Sequence, residues 1–411
     1  MTLAFIFMLT LGVIGPAFLL FYKKEIVYAL FFFALFLYGF VSSFGYVYAP
    51  LASVYINAYT GEDNNLFTVW FINLSLLILL VLYVFLPRNI LDGFFEFKLM
   101  PAKKTNRRKF ILLMLFISLV YFFSTALLFN ELGWNENQEN SSILFAAYMI
   151  LHKWVPGFLI LLIFFNEERD RRKISLLFFL FLLTFLVVSL KSGARTDMAA
   201  LFLGLIAGFL SKSTNIFKTI LHILPYAIGI FFIFIYVGIV RDDFGGKSSI
   251  SALSSVLLTD FYPPGHILFA AINYSFVNPS VVFASNFSNS LILLGYPYLQ
   301  APITELFNPD VVTRNTGYAF YVFTEGYMAL GKYGFLYNGL VLWFWSSLWL
   351  MLSKTNNKNF NVFFAALMAT MIFNFCRGQT SYFFKYFYIY AIPSIIIYLN
   401  LIGHRLTVKL K

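Results

Sequence analysis

Charge is what this chain has least of. Asp, Glu, Lys and Arg make up 11% of its 411 residues, against 60% hydrophobic ones. A soluble domain carries roughly a quarter charged residues, so that class is excluded. The single cysteine, Cys376, excludes an internal disulfide. Four histidines, His152, His222, His266 and His404, do not cluster, and no Cys/His spacing of a zinc site occurs. Neither a phosphate-binding G-x-x-x-x-G-K-[ST] loop nor a dinucleotide fingerprint is present. Nucleotide hydrolysis, a bound cofactor and a metal are therefore not expected.

What remains is apolar and aromatic, with 54 Phe, 26 Tyr and a mean hydropathy of +0.80. About twenty apolar residues cross a bilayer as a helix. The sequence thus predicts an all-α polytopic integral membrane protein, a single domain over 1–411. About eleven spans are expected, near 2–21, 26–46, 66–86, 110–130, 143–165, 174–190, 197–211, 219–240, 333–352, 360–375 and 384–402. The opening run lacks a basic flank and is too long for a signal peptide, so it is read as the first span.

Orientation follows from the alternate loops. One set, containing "YKKE", "PAKKTNRRK", "NEERDRRK", "SKSTNIFK", "SKTNNKN" and the tail "HRLTVKLK", holds 20 basic and 6 acidic residues, a net of +14. The rest of the chain holds 9 basic and 12 acidic, a net of −3. The basic set is cytoplasmic by this rule. The overall +11 is a topology signal and an attraction to anionic membrane lipid, so nucleic acid is not a partner. Outside lie the short "LKSGARTD" turn and one long connection at 241–332, expected to be a periplasmic loop. Two segments in it, "ISALSSVLL" and "HILFAAINYSFV", are too short to span and fit short interfacial or re-entrant helices.

Four arginines fall on the outer side, Arg195, Arg241, Arg314 and Arg377, each at or near a membrane boundary. A charge at bilayer depth costs roughly 2.5–3.5 kcal/mol on insertion scales and is usually paired or functional. Arginine suits phosphate because its planar fork donates two parallel hydrogen bonds and keeps its charge. A helix beginning at Arg195 also presents free N–H groups outward, where an anion is favoured. Single boundary arginines commonly snorkel to lipid phosphate. Asp197 and Asp242 offer Arg195 and Arg241 local partners, so pairing stays open beside a shared phosphate site.

The span-and-loop plan resembles the bacterial O-antigen polymerases of the Wzy type. The resemblance rests on "SGARTD" before a span, "RDD" opening a long late outer loop, "TEGYMALGKYG" leading into the next span, and "RG" in the last outer turn. The family's third element often reads Glu-x-Tyr-x-Asn-x-Gly; Glu325 and Tyr327 fit it, while Ala329 stands in place of the Asn. The resemblance implies a GT-C-like integral glycosyltransferase in the bacterial inner membrane, with its active site facing the periplasm. It would transfer glycan from undecaprenyl diphosphate to the non-reducing end of an undecaprenyl-diphosphate-linked repeat unit. Those two carrier-linked oligosaccharides are the implied partners, with membrane lipid and a chain-length regulator protein as further candidates. The four arginines would bind the diphosphate. The diphosphate bond would supply the energy, in keeping with the missing nucleotide motif.

An acceptor hydroxyl benefits from a base, and Glu325, His266 and Asp242 are the candidates. Glu325 is expected in a loop just outside the span at 333, where it also has Arg314 or Lys332 as alternative partners. Asp242 has the alternative of orienting Arg241. Tyr262, Tyr318 and Tyr327 are candidates for stacking on sugar faces, against the alternative of an interfacial tyrosine belt. His152 and Lys153 lie inside a span with no assignable role, and Pro156 is expected to kink it. Two rival functions share the chemistry or the substrate. One is an O-antigen ligase acting on lipid A core; the other is a flippase for the lipid-linked oligosaccharide, which would place charges near the bilayer midplane.

Overall fold

The computed structural model describes residues 1–48, 62–86, 95–102, 107–128, 143–164, 171–192, 195–241, 265, 267–290, 299, 320–352 and 354–410. These are mostly helical, and a helix coincides with each of the expected apolar runs. Among the described residues seven helices are long and apolar enough to cross a membrane: Thr2–Tyr22, Ile26–Gly45, Asn64–Phe85, Arg108–Leu127, Val322–Leu352, Lys358–Cys376 and Tyr382–Ile402. Tyr148–Phe164, Leu176–Ser189 and Ile216–Tyr226 are shorter apolar helices. The chain is therefore a mostly helical protein built to sit in a membrane, and among the described residues seven of its helices have the length and composition of a span.

The surface of these helices is inverted relative to a soluble protein. On the helix Arg107–Leu127, Leu112, Phe116 and Phe123 are exposed, whereas Ser118, Ser124 and Thr125 are buried. Each buried hydroxyl donates to a carbonyl of its own helix, Leu115 O for Ser118 and Tyr121 O for the other two. Apolar outside with satisfied polar groups inside is the arrangement a hydrocarbon solvent selects.

Contacts divide the chain into two compact units, Met1–Arg88 with Gly246–Ser347 and Ile372–Lys385, and Asn89–Gly245 with Leu348–Met371 and Tyr386–Lys411. In the first, α1 (Thr2–Ala17, continued by Phe18–Tyr22), α2 (Ile26–Tyr48) and α3 (Glu62–Phe85) pack together. Gly12 and Gly15 of α1 have no room for a Cβ because the rings of Phe36 and Phe32 on α2 lie against them. Tyr28 and Tyr83 stack at 4.1 Å and send their hydroxyls to Ser347 and Ser346.

The second unit begins with β1 (Phe95–Pro101) and contains α4 (Arg107–Leu127), α5 (Ile143–Phe164), α6 (Arg171–Ser192), α7 (Arg195–Lys212) and α8 (Ile216–Arg241). β1 pairs antiparallel with β2 (His404–Leu410), with Leu99 opposite Leu406. Asn356 clips this pair by accepting from Leu99 N at 2.8 Å and donating to Leu99 O at 3.1 Å. The sequence reading anticipates no strand here. Gly204 and Gly208 on α7 and Gly157 on α5 mark close helix approaches, against Ala366 and Thr370, Phe164, and Ser394 respectively.

Part of the long 241–332 connection is helical. The segment 267–273 is helix, and its residues Ile267 to Ile272 are all buried. It is thus packed inside the protein. Two further helices follow, α9 (Pro279–Ser290) and α10 (Val322–Leu330). Asn278 caps α9, its Oδ1 accepting from Val281 N, and its own N–H donates to Met328 O on α10.

Candidate functional site

The stretch "TEGYMALGKYG" folds back on itself. α10 ends at Gly331, whose φ of 57° suits glycine, and α11 (Gly334–Leu352) starts three residues later. A Cβ on Gly334 would run into the backbone of Gly326, and one on Gly326 would meet Gly334 O and Asn338. The two glycines therefore let α10 and α11 touch backbone to backbone. Asn338 on α11 secures the contact, accepting from Gly326 N at 3.1 Å and donating to Phe323 O at 3.0 Å.

This places Glu325 beside Tyr337, fully buried. Its Oε1 accepts from Tyr337 Oη at 2.7 Å, Asn286 Nδ2 at 2.7 Å and Thr380 Oγ1 at 2.6 Å. Its Oε2 accepts from the Thr380 N–H at 2.7 Å. Thr380 belongs to the turn between α12 (Lys358–Ala369), α13 (Ile372–Cys376) and α14 (Tyr382–Tyr386). Phe375 and Phe383 stack at 4.0 Å on either side of that turn, and Gly378 leaves space for the Tyr382 ring. Gln379 completes the network, accepting from Leu299 N and donating to Asn286 Oδ1 and Ser381 Oγ.

Two of the quoted motifs thus meet: Glu325 holds the turn that carries Arg377, three residues before Thr380. Arg377 is itself half-buried and its N–H donates to Phe373 O. Two expectations need correction. Glu325 lies inside the helix α10, not in a loop, and the break suggested by Gly331 and Lys332 falls after that helix. Its partners among the described residues are neutral donors in place of Lys332, which is exposed and lies over the Tyr333 ring. Tyr327 is also packed in the core, edge-on to Phe71 at 5.8 Å with its hydroxyl toward Ile272 O, so as folded it offers no face to a sugar. Arg195 opens α7 and Arg241 closes α8, as the sequence suggests. Asp242, His266, Arg314, Tyr262 and Tyr318 lie outside the described residues.

A second cluster sits in the other unit. Asp197, in the first turn of α7, is buried, and Lys153 Nζ reaches both of its oxygens at 2.6 and 2.8 Å. His152 Nε2 lies 3.1 Å from Asp197 Oδ2, and its Nδ1 lies 2.7 Å from Tyr121 Oη. Tyr121 donating to Nδ1 and Nε2–H donating to the carboxylate gives both ring nitrogens a partner. Phe185 and Tyr148 stack on the imidazole from α6 and α5. Among the described side chains Asp197 is partnered by Lys153 and His152, a pairing the sequence did not suggest beside the Arg195 alternative it left open. The signal was visible as opposite charges inside apolar runs, which rarely stay unpaired, but their separation of 44 residues hid the match.

Among the described residues no group of three or more His, Cys, Asp or Glu is placed to hold a metal ion. Compared with models of known protein families, with curated proteins and with solved structures, the chain matches none.

Proposed function

We propose that the chain is a membrane-embedded glycosyltransferase that polymerises lipid-linked oligosaccharide repeat units at the periplasmic face of a bacterial inner membrane. The observation that carries this reading is the hydrogen-bonded union of the Glu325 stretch with the Arg377 turn. Both are motifs on which the resemblance to O-antigen polymerases rests. In the proposed step an acceptor sugar hydroxyl attacks the anomeric carbon of the donor glycan. The carbon–oxygen bond to the carrier diphosphate breaks, the carrier leaves as the diphosphate anion, and the hydroxyl proton passes to a base. Anion stabilisation at the leaving group is the main requirement, and arginine forks supply it.

Glu325 takes a positioning role in this reading. With four donors on its carboxylate and no exposed surface, it fixes the turn that presents Arg377. His266 and Asp242 remain the candidates for the base. Arginine substitution tests the assignment. Arg377→Ala, and likewise Arg195→Ala, Arg241→Ala and Arg314→Ala, should abolish long glycan chains in cells at normal protein level. Arg→Lys should restore little wherever bidentate geometry matters. Wild-type chain lengths in all four alanine variants would leave them as lipid anchors and remove the basis of the proposal.

One observation favours a second reading. The Lys153–Asp197–His152 cluster puts charges within helices, as a transporter of the same lipid-linked glycan would. That reading expects Arg377→Ala to block passage of the substrate across the bilayer, whereas the polymerase reading expects passage to be unaffected.

A further inference from the structure

α7 and α8 form a hairpin around the basic "SKSTNIFK" turn, and a cleft of about 760 Å³ opens between them. Its wall is apolar, including Phe202, Ile206 and Ile223, and its mouth carries Lys212, Lys218 and Thr219. Both lysines are exposed, and neither makes an ion pair with a described residue. From position 212 to 202 the helix rises ~15 Å at 1.5 Å per residue. That is half of the ~30 Å hydrocarbon thickness, the depth of one leaflet. An apolar trough of that length with two exposed lysines at one end matches an anionic lipid in shape and charge.

We propose that this cleft is a binding site for one anionic phospholipid of the leaflet on the side of the basic turn, its phosphate at Lys212 and Lys218 and an acyl chain along Phe202, Ile206 and Ile223. The site is independent of the polymerase reading, since it uses none of the residues placed there. Each lysine near a headgroup favours an anionic lipid, and the trough converts that attraction into retention of one molecule. The helix α8 gains a cover for an apolar face that includes Ile223.

The test uses the full-length protein in bilayers of phosphatidylcholine with a minor fraction of phosphatidylglycerol, extracted into detergent and weighed intact by native mass spectrometry. One phosphatidylglycerol should be retained at least about tenfold above its share of the bilayer. Lys212→Glu with Lys218→Glu should erase the preference, and Ile206→Trp, which fills the trough and leaves the charges, should erase retention. Unchanged retention in the double-charge variant would overturn the headgroup assignment. Loss in that variant with full retention in Ile206→Trp would mean attraction to the turn alone, and would overturn the cleft. Displacement by soluble glycerol phosphate as readily as by intact lipid would also overturn a lipid occupant. So would a dimer in sedimentation that Ile206→Trp dissociates, because the trough would then hold a second copy of the chain.

Discussion

Lys153→Met should be among the most destabilising single substitutions in the protein. Removing one partner of a buried ion pair costs about 3–5 kcal/mol, because the other is left charged and unpaired. Asp197 is the more deeply buried of the two, its side chain 7% exposed against 28% for Lys153. Losing the lysine leaves the carboxylate with His152 as its one partner among the described side chains. Losing the carboxylate leaves an ammonium that can still reach toward the headgroups. Lys153→Met is therefore expected to cost more than Asp197→Asn. The double variant Lys153→Met with Asp197→Leu should recover most of the loss, since an apolar pair of similar volume needs no desolvation. Reversible unfolding in mixed micelles measures all three. Single variants within about 0.5 kcal/mol of wild type would show that the pair does not form.

The second large effect lies at Glu325. Alanine there removes the acceptor that four donors share: Asn286 Nδ2, Tyr337 Oη, Thr380 Oγ1 and Thr380 N. A buried donor left unsatisfied costs about 1–3 kcal/mol, so the total is expected to exceed about 3 kcal/mol even with partial relaxation. Glutamine should be milder. Its oxygen can serve the three donors on the Oε1 side, and its amide then faces only the Thr380 N–H. One donor–donor conflict, about 1–3 kcal/mol, replaces four lost acceptors.

The catalytic readout separates positioning from base chemistry. As a positioning residue, Glu325→Gln should lower transfer through a loosened Arg377 turn and keep the pH profile of the wild type, with Glu325→Asp restoring part of the rate. Loss of the acidic limb of the profile in Glu325→Gln would return the base role to this carboxylate.

The helices were legible because apolar runs of about twenty residues have few alternatives. Arg195 opening a helix followed from the same pattern, since "LKSGA" interrupts one run and "DMAALFLGL" begins the next. The strand pair was not legible: Leu99 and Leu406 lie too far apart in sequence for any local signal, and both strands sit in segments that read as basic loops. The ninth apolar helix begins at Gly334, within one residue of the expected 333, but the helix α10 before it was not legible for a related reason. Glu325, Gly326, Gly331 and Lys332 look like an end to hydrophobicity, yet the two glycines at 326 and 334 mark a close approach that buries the acid. The motifs were visible one at a time. Their meeting through Thr380, and the supporting Asn286, Tyr337 and Gln379, depends on tertiary contacts between residues up to 95 positions apart. His152 and Lys153 stood out as polar groups in a span, but a charge in a sequence does not announce its partner.

In the proposed function this protein lengthens a carrier-linked glycan at the expense of a carrier diphosphate bond. Purified full-length protein, reconstituted with synthetic undecaprenyl-diphosphate-linked repeat units and followed by mass analysis of the glycolipids, tests it most directly. A ladder of products differing by one repeat unit is expected, with one undecaprenyl diphosphate released for every bond formed and no ladder from Arg377→Ala. Unchanged substrates in the presence of folded, correctly assembled protein, or passage of intact repeat units across the bilayer without any lengthening, would contradict it.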